Sequence, residues 1–321
     1  MSKFGIAGDK MFSYLDRVTG DRKPITADIY LTNYCNNKCP YCVYGRWELD
    51  AGAYAMTGDD FIRYANRLHD MGVQGFILTG GGEPTLNPDF DKITGYLDSQ
   101  GWHYGINTNF NRLRFPKPDF LKVSLDGWDE DSYQASRGVR AYHQTVSNLR
   151  EYIAWKKEHS PKTNVGIQCV ATSAEAVERF VDANASLDVD YISIRPVEST
   201  KGEYYKSKAK QDEAKAVSAA VDRLRAFDER IVRNYKWDMI NGSVSKCGAN
   251  WAEMALNEKG EVMYCCHKPY EIVGHIMDKD ILDKKRKAKT DISMCDVPCR
   301  LSAPNAFMEQ AEKERKDVWF I

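Results

Sequence analysis

Cys35, Cys39 and Cys42, in the run CNNKCPYC, offer three thiols at the spacing C-x3-C-x2-C and no fourth. Iron–sulfur clusters are held by cysteine thiolates, normally four of them. A [4Fe–4S] cluster bound by three keeps one iron open to an outside ligand, and chemistry would happen at that iron. A zinc knuckle or three ordinary buried cysteines is the competing reading. Structural zinc, however, takes four ligands, usually from paired C-x2-4-C or Cys/His sets.

A second group lies near the other end of the chain. Cys247 and Cys265 frame the pattern C-x12-G-x4-C, with Gly260 as turn glycine, and Cys295 and Cys299 add a C-x3-C pair. A hairpin turning at Asn257-Glu258-Lys259-Gly260, between 254–256 and 261–264, would bring the distant thiols together. Four thiolates fill a cluster, which suits electron transfer or structure rather than substrate activation. Zinc competes for these four ligands. Cys169 sits in an apolar strand and reads as core. Cys266 follows Cys265, and adjacent strand residues face opposite ways. It is therefore either a packed or alternative ligand thiol or a group with its own chemistry. His267 reads as a surface histidine.

These groups need elements to position them. A βα rhythm runs from 27 to 200, with strands expected at 27–32, 74–79, 103–107, 120–125, 165–170 and 190–195. Helical periodicity fills 58–71 and 141–158. Such alternation predicts a parallel sheet with outer helices, whose functional groups gather at the C-terminal strand ends. The cysteine triplet follows the first strand. Gly80-Gly81-Gly82-Glu83-Pro84 follows the second, Asn107-Thr108-Asn109 the third and Ser124-Leu125-Asp126 the fourth. Arg137 lies in the next helical region, Gln168 near the end of the fifth strand and Arg195 at the end of the sixth. Segment 212–232 reads as helical, and the lysine-rich stretches 201–215 and 283–289 as solvated helix faces.

The three-cysteine run with Tyr41 before its last member, followed by Gly81-Gly82-Glu83 after the next strand, resembles the radical S-adenosylmethionine (radical SAM) superfamily. The resemblance implies a partial (β/α)6 TIM-like barrel, and a [4Fe–4S] cluster whose open iron takes the amino and carboxylate groups of S-adenosylmethionine (SAM). It implies Tyr41 near the adenine, Gly81, Gly82 and Glu83 toward the methionyl amino group, Ser124 toward ribose and Arg137 toward the SAM carboxylate. Asp126 is expected at ribose or substrate. Asn107, Gln168 and Arg195 are further cofactor-binding candidates from the strand-end rule alone.

The C-terminal pattern resembles the twitch module, a shortened SPASM domain that holds an auxiliary [4Fe–4S] cluster. It implies a small C-terminal β-hairpin/helix domain, and a resemblance to peptide epimerases with auxiliary clusters implies Cys266 as a catalytic candidate that donates a hydrogen atom to a substrate radical. The expected organisation is an extension over 1–26, the barrel over 27–200, a helical linker over 201–240, and the auxiliary domain with a closing helix over 241–321. That helix ends in the apolar tail 318–321, expected to pack on the body.

The implied activity is reductive cleavage of SAM to a 5′-deoxyadenosyl radical that abstracts hydrogen from the substrate. An external one-electron reductant such as flavodoxin or ferredoxin would feed it. A peptide or protein residue is the first substrate expected. Residues 1–26 are shorter than the recognition domain many peptide modifiers carry, so a nucleotide or nucleic-acid base, or a sugar-like alcohol, is the alternative. Tyr44, Trp47 and Tyr54 could stack a base or pack their loop. A non-enzymatic electron carrier or zinc-binding module is a further class.

Composition narrows the setting. The 321 residues are 43% hydrophobic with a net charge of −1, so no global field draws the chain to nucleic acid. No apolar run approaches the roughly 20 residues of a membrane span. The N-terminus lacks the apolar core of a signal peptide, so a cytoplasmic protein is expected and its nine cysteines read as metal ligands rather than disulfides.

Overall fold

The computed structural model describes residues 22–42, 44, 54–198, 205–234, 237, 246–292, 295, 299, 301 and 305. Trp47, segment 201–204 and the apolar tail 318–321 lie outside the described residues.

Six parallel strands form where the sequence places them. They are β1 (Thr26–Tyr30), β2 (Gly75–Thr79), β3 (His103–Thr108), β4 (Phe120–Ser124), β5 (Asn164–Val170) and β6 (Tyr191–Arg195). Each pairs with the next in chain order, and alternate residues face the core or the concave side. The connecting helices are α1 (Gly58–Asp70), α2 (Phe90–Gln100), α3 (Glu130–Arg137), α4 (Tyr142–His159) and α5 (Ala174–Asn184). In α1, Thr57 accepts a hydrogen bond from the Asp60 N–H at 3.1 Å, and Phe61, Tyr64, Ala65 and Leu68 form its buried stripe. The result is a partial TIM-like barrel with its apolar core between sheet and helices.

Two features extend this plan. The segment 212–232 is not one helix. Helix α6 spans Lys208–Arg225, and after a turn the chain forms β7 (Ile231–Arg233), which pairs with β6 as a seventh parallel strand. Asp228 supports that turn, accepting from the Arg230 backbone N–H at 3.0 Å and from its guanidinium, an interaction between residues too close to read as periodicity.

The C-terminal hairpin also joins the barrel sheet. Strand β8 (Glu253–Leu256) pairs in parallel with β1, β9 (Glu261–Met263) returns antiparallel to β8, and β10 (Ile272–His275) completes a ten-stranded sheet. Gly260 turns the hairpin with φ of 79°, and a Cβ there would meet the Tyr64 ring at 2.5 Å. Helix α7 (Ile281–Lys287) packs behind it.

Candidate active site

The cysteine loop is fixed at its base before any sulfur is considered. Leu31 O accepts from the Met56 N–H at 2.9 Å and from the buried Asn87 amide at 2.6 Å, while the Asn33 N–H donates to Tyr54 O at 3.1 Å. The Gly-Gly-Glu segment then runs alongside. The Gly82 N–H donates to Thr32 O and the Glu83 N–H to Tyr34 O, both at 2.8 Å. A Cβ on Gly82 would lie 2.0 Å from Tyr34 O, so this glycine permits the approach of two protein backbones.

Glu83 is buried, and its carboxylate is well supplied by the chain itself. Oε1 accepts from the Thr85 N–H at 3.1 Å, the Thr85 hydroxyl at 2.7 Å and the Thr108 hydroxyl at 2.5 Å. Oε2 accepts from the Asn109 N–H at 2.7 Å. Burial raises its pKa above the usual carboxylate range, and the four donors pull against that rise. The carboxylate thus joins the ends of β2 and β3 beneath the cysteines. Oε2, with one donor, retains acceptor capacity.

Asparagines from the third strand end reach the loop directly. Asn109 donates to Asn36 Oδ1 and Asn111 to Asn37 Oδ1, both at 2.7 Å. Asn111 is held in turn by the Tyr133 hydroxyl at 2.9 Å and the Thr145 hydroxyl at 2.6 Å. Sequence reasoning missed Asn111, which lies past the strand and gains its role only through α3 and α4.

The sulfurs meet donors. The Asn37 N–H lies 3.4 Å from Cys35 Sγ, and Arg137 Nη1 donates to Cys39 Sγ at 3.3 Å. Cys35 is exposed as a residue, yet its thiol is desolvated on the protein side. That burial, opposed by Asn37 and reinforced by Glu83, Cys39 and Cys42, pushes the thiol up to about 12. Binding iron there releases a proton. Cys39 and Cys42 lie close enough to raise the Cys35 thiol, donors are aimed at Cys35 and Cys39, and the set fits the [4Fe–4S] group that the spacing implies.

Arg137 is positioned by α3, which an Asp129–Ser132 capping box opens. Its carbonyl accepts from the Lys38 N–H at 2.9 Å, docking the helix end on the cysteine loop. Its guanidinium pairs with Asp126, which also accepts from the Val170 N–H at 2.6 Å. Burial works against the charge on Arg137, but Asp126 and Cys39 outweigh it and hold the proton more firmly than usual. The carboxylate partner that Arg137 has in this structure is therefore Asp126.

Tyr41, Asn107, Ser124, Asp126, Arg137, Gln168 and Arg195 all line one cavity of about 1520 Å³, together with Cys39 and Cys42. Gly81, Gly82 and Glu83 lie outside this lining. Arg195 pairs with Glu198 at 3.0 Å, and the Glu198 carboxylate lies 4.0 Å from His267 Nε2. His267 is not a surface residue: its side chain is 12% exposed and it lines the cavity beside Cys266.

The two adjacent cysteines lie in the turn after β9 rather than in a strand, and they take different surroundings. Cys266 lines the cavity that also holds Cys39 and Cys42. Cys265 faces the other group: burial first, then Cys299 and Glu253, push its thiol up to about 12. Tyr264 adjoins Cys247, Cys265 and Cys295, and with burial they raise its phenol above the ordinary value. The Asn305 amide donates to Cys247 Sγ at 3.6 Å, and the Leu301 N–H to Cys299 Sγ at 3.3 Å. Cys247, Cys265 and Cys295 thus neighbour Tyr264, and Cys299 neighbours Cys265, a donor set that fits a metal–thiolate centre.

Tyr44 connects the two regions. Its hydroxyl donates to Cys266 O at 2.8 Å, and it hydrogen-bonds the buried Tyr30 hydroxyl with the rings edge to face. Tyr44 therefore packs against Tyr30 and the main chain of Cys266. Tyr54 is 41% exposed.

Residues 29–154 match the Radical SAM superfamily. Over these residues the chain is similar to a radical SAM domain. Radical SAM proteins are enzymes that use a [4Fe–4S] cluster and SAM. Three relatives show how far the likeness extends. The chain is 26% identical over 185 residues to molybdenum cofactor biosynthesis protein 1 of Drosophila melanogaster, covering 54% of this chain and 32% of the relative. It is 27% identical over 142 residues to mycofactocin maturase of Mycobacterium tuberculosis, covering 41% and 35%. It is 23% identical over 175 residues to GTP 3′,8-cyclase of Stenotrophomonas maltophilia, covering 52% and 50%. The matches thus span a third to a half of these relatives. Among solved structures, Streptococcus suis SuiB bound to precursor peptide SuiA has a similar fold, with a TM-score of 0.62 at 18% identity over 91% of this chain and 74% of SuiB. Among the described residues, no helix is long and apolar enough to cross a membrane.

Proposed function

We propose that this protein uses SAM-derived radical chemistry to modify a residue of a peptide or protein. The carrying observation is that Cys39 and Cys42, Arg137 and the polar strand ends share one cavity with Cys266. When bound, the cluster and SAM supply a 5′-deoxyadenosyl radical that takes a hydrogen atom from the substrate.

The chain's own residues bind and orient. Cys35, Cys39 and Cys42 would hold the first cluster, with the Asn37 N–H and Arg137 stabilising thiolate charge. Asn107, Ser124, Gln168 and Arg195 would contact SAM or substrate, and Tyr41 the adenine. Glu83, through the free acceptor capacity of Oε2, would receive the methionyl ammonium while its other bonds keep the loop in place. Cys247, Cys265, Cys295 and Cys299 would hold an auxiliary [4Fe–4S] cluster. Cys266 offers its S–H hydrogen atom to a carbon radical in the cavity. The thiyl left behind is returned to thiol by one electron and one proton, the electron drawn from an external reductant such as flavodoxin or ferredoxin.

Two observations favour a peptide. The cavity exceeds the roughly 300–1000 Å³ of ordinary small-molecule sites, leaving room for a chain segment beside a cofactor. A matching relative is named a maturase, and a protein of the same fold is seen with a precursor peptide.

Anaerobic reconstitution with iron and sulfide, then SAM and a one-electron reductant, tests the chemistry. The expected product is 5′-deoxyadenosine, lost in Cys39→Ala. No product from protein with intact clusters contradicts the proposal. Stimulation by nucleotides but not by peptides would redirect the substrate class.

A further inference from the structure

Helix α7 carries the basic run Lys284-Lys285-Arg286-Lys287, which the sequence presents as a solvated face. Lys284, Arg286 and Lys287 are exposed, and Lys284 pairs with Asp278 at 2.9 Å. Lys285 does the opposite. It is 1% exposed, among the largest fully buried side chains of the described residues.

Its Nζ donates to Met263 O at 2.8 Å and to Tyr264 O, the two carbonyls just before Cys265, and lies 5.8 Å from the Tyr264 ring centroid. An ammonium has three N–H bonds, and these two carbonyls are the acceptors it finds among the described residues. Burial lowers its pKa to about 8, against the pull of Cys265, Glu253, Cys247 and Cys266. Burying a lone cation is costly unless an anion faces it. Glu253 supplies one negative charge. Four thiolates closing on iron supply more, at the place where the lysine points of contact already lie.

We propose that Lys285 is the fixed counter-charge of the auxiliary centre and sets its reduction potential. This rests on the reading that the four cysteines hold an iron–sulfur cluster. Cluster potentials follow net charge, hydrogen bonding and solvent exposure. A nearby cation stabilises the more negative, reduced form and so raises the potential. Lys285 also clamps the strand leading into Cys265, so a purely structural role must be distinguished from an electrostatic one.

The test is an EPR-monitored redox titration of the reconstituted full chain, with SAM added to mark the first cluster. Lys285→Met is expected to disfavour reduction of the auxiliary cluster at least tenfold, about 59 mV for one electron. Lys285→Arg should restore most of that shift, and Glu253→Gln should move the potential upward. An unmoved potential in Lys285→Met that holds its iron overturns the proposal. If Lys285→Met cannot be loaded, Lys285→Gln takes its place as the neutral variant: a downward shift that Lys285→Arg reverses supports the proposal, and an unmoved potential overturns it. Native protein with about four iron plus zinc, instead of about eight iron, removes the auxiliary cluster itself and this proposal with it.

Discussion

Glu83 shows how a single residue can serve a site from beneath. Its carboxylate accepts four hydrogen bonds that join the end of β2 to Thr108 and Asn109, and Asn109 reaches Asn36 in the cysteine loop. Glu83→Gln places an amide donor where the chain supplies donors, and should cost about 3 kcal/mol in urea unfolding. The pH dependence has a definite sign. Because the native pKa is raised above 4.5, the folded state keeps a proton that the unfolded state has lost just above that pH. Native stability therefore falls as pH rises through that window, and Glu83→Gln should flatten this part of the profile. An unchanged profile would show that Glu83 does not titrate there. The cysteines and Glu83 were legible because their types and spacing carry chemistry. Asn111, His267 and Lys285 were not, since each owes its place to residues distant in the chain.

At the scale of elements, the decisive contact is between the Gly-Gly-Glu segment and the cysteine loop. Gly82→Ala should push Tyr34 away and lower iron loading of the first centre, read as iron per chain after reconstitution. Gly95→Ala is the control: it lies exposed in α2 with nothing within 4 Å of the added carbon, and should stabilise by about 0.5–1 kcal/mol with normal loading. Equal loading in the two variants would contradict the packing account. Strands and helices that alternate with clear periodicity, such as β3 and α1, could be read from sequence to within a residue or two. The short β7 could not, because three residues carry too little pattern and depend on β6 for their hydrogen bonds.

For the whole molecule, the consequence lies in β8 pairing with β1. The auxiliary segment shares the barrel's sheet, and the Tyr44 hydroxyl donates to the main chain of Cys266. Sequence patterns located the hairpin, but a pairing between strands more than two hundred residues apart leaves no periodic trace. Truncation after residue 240 should expose the edge of β1 and give aggregated protein in size-exclusion chromatography. A monomeric, iron-loaded fragment would contradict that expectation. The central claim is that one iron–sulfur centre opens into the cavity while the other is filled by four cysteines. EPR of the reduced, reconstituted protein with and without SAM tests it most directly. Two cluster signals are expected, of which one changes on adding SAM and is lost in Cys39→Ala, while the other stays unmoved. Two signals that both ignore SAM would contradict it.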